Sequence, residues 1–120
     1  CPNNLSQNLA IKALSLNNSY ISKMVNEYDK RRKYIVKKLN DINLKTKMPQ
    51  GAFYAFSNIK NATKKTSSDF AKELLIKCKV AVVPGTEFGK YGEGYLRFSY
   101  ATKIELIKKA MEKLEKYLRW

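Results

Sequence analysis

The stretch VAVVPGTEFGKYGEGYLRFSYA, Val80 to Ala101, constrains this chain most, because it holds two strand-like runs separated by a glycine-punctuated loop. Val80, Ala81, Val82 and Val83 form a short β-branched run of the kind found in buried strands, and Pro84-Gly85 ends it by fixing one φ and freeing the next. Tyr95 to Ala101 alternates. Leu96, Phe98 and Tyr100 share one face, while Tyr95, Arg97 and Ser99 share the other. A single guanidinium therefore stands away from the apolar side chains.

The rest of the chain reads as support for these strands. Leu5, Leu9, Ile11, Ala13, Leu14 and Leu16 mark a first helical stretch, broken by the turn-forming cluster Asn17-Asn18-Ser19. Ile21, Val25, Tyr28, Ile35, Leu39 and Ile42 then predict a long amphipathic helix from Ser19 to about Asn40. Pro49-Gln50-Gly51 turns the chain into a short aromatic strand, Ala52 to Phe56, and residues 59–68 read as a lysine-rich surface loop. A third helix opens at Asp69, capped by Ser67 or Ser68, with Phe70, Ala71, Leu74, Leu75 and Cys78 on its apolar side. Thr102-Lys-Ile-Glu105 matches a capping box, followed by Ile104, Ile107, Met111, Leu114 and Leu118 at helical spacing. The expected fold is α+β: a small three-stranded, mainly antiparallel sheet covered by helices on one face, the last two strands paired across the loop between Pro84 and Gly94.

A chain of 120 residues suits one domain with a modest core. The formal net charge of +14 invites a nucleic-acid reading. Only Arg31, Arg32, Arg97 and Arg119 are arginines, however, and the lysines are scattered over every helix, without a basic recognition helix, RNP-like aromatics or zinc spacing. A basic module for nucleic acid or an acidic protein remains the alternative class. A membrane-surface role for the long helix is opposed by Glu27, Asp29 and Asp41. Cys1 and Cys78, with no histidine, suggest neither a metal site nor a disulfide framework, so a cytoplasmic setting is expected. Cys78 reads as a small core residue. The chain opens at Cys-Pro-Asn-Asn without a methionine and so reads as a piece of something longer.

Little here can carry chemistry. Gly85-Thr-Glu-Phe-Gly89-Lys90-Tyr91 resembles a phosphate loop only superficially: three residues separate its glycines, Tyr91 stands where Ser or Thr is needed, and a strand rather than a helix follows. Without histidine no Ser-His-Asp or Cys-His arrangement is possible, and Glu87 with Glu93 in one loop do not make an acid/base pair. Arg97 remains. Its flat fork suits bidentate capture of a carboxylate or phosphate, with Tyr95 and Ser99 beside it, though a strand arginine on such a face is more often a solvent or salt-bridge residue than a ligand clamp.

Three ordered motifs narrow the reading: Pro49-Gln-Gly51-Ala-Phe53-Tyr54, then Val83-Pro84-Gly85-Thr-Glu-Phe88-Gly89, then Gly94-Tyr-Leu-Arg97-Phe-Ser99-Tyr-Ala101. Together they closely resemble the C-terminal part of class I pyridoxal-phosphate aminotransferases, most of all the prokaryotic type of aspartate aminotransferase. Pro2 to Gln7 is similar to the point where such chains leave the large cofactor domain, and Tyr28 to Arg32 to their long interdomain helix. The resemblance implies an interdomain helical segment at 1–18 and an aminotransferase small domain at 19–120. It implies that Arg97 binds the substrate α-carboxylate, and that Gly51 and Phe53 border a substrate entrance that moves on domain closure. The implied reaction moves an amino group between L-aspartate or a similar amino acid and 2-oxoglutarate through pyridoxal phosphate, in a parent homodimer. No motif for the family's cofactor-binding lysine or its aspartate is present, so no catalytic residue and no cofactor-binding residue is assigned to this chain. Another enzyme of the same fold type, such as a carbon–sulfur lyase or synthase, would share this domain.

Overall fold

The computed structural model describes residues 1–119. Two helices lead the chain, α1 (Asn4–Leu14) and α2 (Ser19–Asp41), followed by strands β1 (Lys45–Thr46) and β2 (Tyr54–Asn58). Helix α3 (Ser67–Glu73) runs into a π-helical turn, Leu74–Cys78, and then come β3 (Val83–Pro84), β4 (Tyr95–Ser99) and α4 (Ile104–Leu118). The sheet order is β1-β2-β4-β3 and every pairing is antiparallel.

The expected α+β architecture is present with four strands instead of three. The additional strand, β1, is two residues long and lies at the sheet edge, too short for any alternation to show in sequence. It is set by tertiary bonds: the Asn40 side-chain amide donates to the Thr46 carbonyl and its oxygen accepts the Thr46 N–H, both at 3.0 Å. Beneath them the buried Thr46 and Ser57 hydroxyls meet at 2.7 Å.

The Val80 run departs further from expectation. Only Val83 and Pro84 pair with β4, and Val80 to Val82 lie outside the ladder. The cause lies upstream, where the π turn ends on Lys79 in the left-handed region at φ 55°, redirecting the chain before the strand begins. The same wide turn keeps Phe70, Leu74 and Cys78 in the core but leaves Leu75 half exposed, against the predicted apolar side. The α3 cap is Thr66, whose hydroxyl accepts the Asp69 N–H, rather than Ser67 or Ser68. At α4 the capping box does not form: Lys103 is the N-cap and no side chain caps the helix.

Helices α2, α3 and α4 cover one face of the sheet. Ile35, Val36 and Leu39 of α2, Phe70 and Leu74, and Ile107, Met111 and Leu114 of α4 close over Ala55, Leu96, Phe98 and Tyr100. The predicted division of β4 is observed, with Leu96, Phe98 and Tyr100 buried. Cys78 is buried as expected, and burial, with the nearby Glu73 charge, pushes its thiol pKa up. The other sheet face, bearing Tyr54, Phe56, Tyr95, Arg97 and Ser99, has no α-helix against it among the described residues and is touched only by the short 3-10 turn Gly85–Phe88. No helix among the described residues is long and apolar enough to cross a membrane.

Candidate functional site

Arg97 is carried by the central strand β4, directly opposite Phe56 of β2 on one side and Val83 of β3 on the other. Because side chains alternate along a strand, this register places Arg97 on the bare face with Tyr54, Phe56 and Tyr95. Its guanidinium carbon lies 4.7 Å from the centre of the Phe88 ring and 5.4 Å from that of Tyr54. Phe56 packs edge-on to Phe88 at 6.0 Å and stacks on Tyr95 at 5.4 Å. The cation is thus set among aromatic rings, which attract it through their negative faces.

What this arginine lacks matters as much. No carboxylate among the described residues pairs with it, although six other ion pairs are formed. Its Nε is buried without a hydrogen-bond partner, the one such side-chain atom among the described residues. Leaving a guanidinium N–H buried and unpaired costs roughly 1–3 kcal/mol. The donors of the fork that no carboxylate claims suit bidentate contact with an acidic group.

The Pro49 to Phe53 turn lies beside the same face. Arg32 of α2 donates from Nη1 to the Pro49 carbonyl while its Nε donates to Asp29. Lys33 and Arg32 together hold the Asp29 carboxyl below the usual carboxylate range. From the other side the buried Tyr100 donates its hydroxyl to the Ala52 carbonyl at 3.1 Å, and its N–H to Phe53 O at 2.8 Å. Gly51 is exposed with open space beside its Cα, and the left-handed residue of the turn is Ala52 at φ 61°. Phe53 is exposed and meets Tyr54 edge-on at 5.8 Å. A groove of about 860 Å³ runs from Lys45, Thr46 and Met48 past Gly51 to Tyr54, Phe56 and Tyr95.

Gly51 and Phe53 share a second cavity with Met24, Val25, Tyr28 and Tyr100, whereas Arg97 lines neither groove and is joined to this turn only through Tyr54, whose ring meets both Phe53 and the guanidinium. The structure does not place Tyr95 or Ser99 as the groups ordering Arg97: Tyr95 stacks on Phe56, and the Ser99 hydroxyl accepts the Ala101 N–H. The rings standing nearest its guanidinium are those of Tyr54 and Phe88, which the sequence motifs contain without assigning either a place beside Arg97. For Tyr54 the available signal was the alternation of Tyr54 and Phe56 on a strand antiparallel to β4. For Phe88 there was none, since its position depends on how the loop folds back.

A family model described as "Aminotransferase class I and II" matches residues 3–114. The chain belongs to this family. An aspartate aminotransferase of Pyrococcus abyssi is 49% identical over 121 residues, covering 99% of this chain and 31% of that protein. The aromatic-amino-acid aminotransferase 2 of Thermococcus litoralis is 43% identical with the same coverage. Among solved structures, an alanine aminotransferase from Pyrococcus furiosus superimposes with a TM-score of 0.94 at 36% identity, over 99% of this chain and 30% of that one. The chain thus spans about a third of the length of the aminotransferases it matches. Pyridoxal phosphate, the cofactor implied by the family, does not fit the face around Arg97: Tyr54, Phe56, Val83, Phe88 and Tyr95 offer it neither a lysine nor an acid.

Proposed function

We propose that residues 19–120 are the small domain of an aminotransferase, that residues 1–18 are the helical connector to its large domain, and that Arg97 anchors the α-carboxylate of the substrate. The observation that carries this reading is a strand guanidinium with no carboxylate partner among the described residues and a buried, unpaired Nε, on the sheet face that no α-helix among the described residues covers. Gly51 and Phe53 form the rim of the substrate entrance, on a turn held by Arg32 and Tyr100 so that it travels with the domain as a unit. The full-length enzyme moves an amino group between L-aspartate, or a similar amino acid, and 2-oxoglutarate. The aspartate assignment is supported by the relatives so named, and the aromatic-amino-acid aminotransferase of Thermococcus litoralis supports an aromatic amino acid instead. Pyridoxal phosphate supplies the electron sink and is held by the large domain, so this chain alone does not transaminate. The enzyme acts in the cytoplasm as a homodimer.

Arg97→Ala in the full-length enzyme is expected to lower kcat/KM for the amino-acid substrate by an amount equivalent to about 2–5 kcal/mol, the usual effect of removing one partner of a buried charged pair. Steady-state kinetics with the preferred amino acid measure it. An unchanged kcat/KM removes Arg97 from the site.

A further inference from the structure

We infer that Phe88 is a positioning residue for Arg97: its ring sets the plane of the guanidinium, so that the fork is already oriented when a carboxylate arrives. The inference rests on the reading of Arg97 as the carboxylate anchor.

Phe88 adds little to the core. It is 52% exposed, and its ring contacts are made on the bare face, with Arg97 at 4.7 Å and Phe56 at 6.0 Å. Arginine is a long side chain that loses rotamer freedom on binding, and holding its head group against a ring removes part of that loss before the ligand arrives. The guanidinium carbon stands over the Phe88 ring, and a ring, unlike a carboxylate, accepts no conventional hydrogen bond from the N–H donors of the fork. An ion pair in the same place would order the side chain but occupy the donors.

The loop that presents Phe88 is locked to the strand that presents Arg97. Gly85 and Gly92 approach so closely that a Cβ on Gly85 would lie 2.1 Å from the Gly92 carbonyl oxygen. At the loop's far end the Glu93 carboxylate accepts the Ser67 N–H at 2.9 Å and the Gly94 N–H at 3.1 Å. The fully buried Ser67 hydroxyl accepts the N–H groups of Gly94 and Tyr95 at 2.8 and 3.2 Å. These bonds fix the first residues of β4 to the start of α3, two positions before Arg97. Ring and guanidinium are thus held in one frame.

The test uses the full-length enzyme. It compares kcat/KM for the preferred L-amino acid with the inhibition constant of that amino acid's α-carboxamide, which keeps the shape and lacks the charge. Phe88→Leu is expected to lower kcat/KM roughly three- to thirtyfold through KM, the range of a partly desolvated cation–π contact. It should leave the carboxamide constant unchanged and add no loss once Arg97 is alanine, while Phe88→Tyr, which keeps the ring, retains the wild-type value. Equal losses for acid and amide, an undiminished loss in the Arg97→Ala background, or no loss at all would each overturn the inference. If Phe88→Leu does not give folded enzyme, Phe88→Met serves the same comparison. Should Arg97→Ala itself leave kcat/KM intact, the anchor assignment fails; if it lowers kcat/KM while Phe88→Leu does not, only the role of Phe88 fails.

Discussion

Tyr117, far from the bare face, shows how a single proton can hold two helices together. Its hydroxyl donates to Glu73 at 2.6 Å across 44 residues of chain, and Lys65 Nζ lies 2.6 Å from both oxygens of the same carboxylate. Hydrogen bonds from Lys65 and Tyr117 hold Glu73 below the usual carboxylate range, while the bond to Glu73 pushes the Tyr117 pKa up to about 12. A phenol whose folded pKa lies above its unfolded value of about 10 contributes stability that is complete below that value and is lost as pH rises through the folded one. The Glu73 contribution has the opposite sense, present above the ordinary carboxylate range and lost as pH falls through the depressed value. Tyr117→Phe should therefore cost about 1 kcal/mol at neutral pH and flatten the loss of stability between about pH 10 and 12. Urea midpoints of the two proteins across that interval measure both effects. A parallel alkaline decline in the variant would show that the bond contributes nothing there.

At the scale of elements, the loop between β3 and β4 depends on two glycines at a crossing. A Cβ on Gly92 would lie 1.9 Å from the Gly85 carbonyl oxygen, a backbone atom that no rotamer change can move. Gly92→Ala should therefore destabilise by about 1–3 kcal/mol, the usual range for forcing atoms into packed space. By opening the crossing it should also release Phe88 from Arg97 and raise KM for the amino acid. Thermal unfolding and kinetics on the same variant check the two together, and wild-type values in both would mean that the crossing relaxes freely. Gly89, with nothing within 4 Å but φ at 113°, is required for backbone freedom instead of space.

The whole molecule is elongated, with extents of 54 × 31 × 24 Å. Its length comes from α1 and the first half of α2, where Leu5, Leu9, Ile11, Leu14, Ile21, Met24 and Val25 are all exposed, Leu14 by 89%. No residue of α1 is buried, and an isolated helix of this size is marginal in water. Removing residues 1–18 should thus shift the urea midpoint of the remaining chain by less than about 0.5 kcal/mol equivalent, as changes outside the core do. A large loss on truncation would put those residues inside the domain instead of before it. The same exposed stripe is the surface for which the connector role supplies a partner, the large domain.

Much of this architecture was legible in the chain because it depends on local periodicity. The extents of α2 and α4, the faces of β4, and the placement of Arg97 opposite Leu96, Phe98 and Tyr100 follow from spacing alone, since side-chain direction repeats every 3.6 or 2 residues. Tertiary structure decided the rest. The edge strand β1 exists through Asn40 and β2, the Val80 run leaves the ladder because a wide helical turn precedes it, and α2 buries only the half that reaches the sheet. At the candidate site the sequence by itself determined that one guanidinium faces away from the core. Only folding decided which rings hold it, because Tyr54 and Phe88 reach Arg97 from 43 and 9 positions away, and contacts between distant residues carry no sequence period.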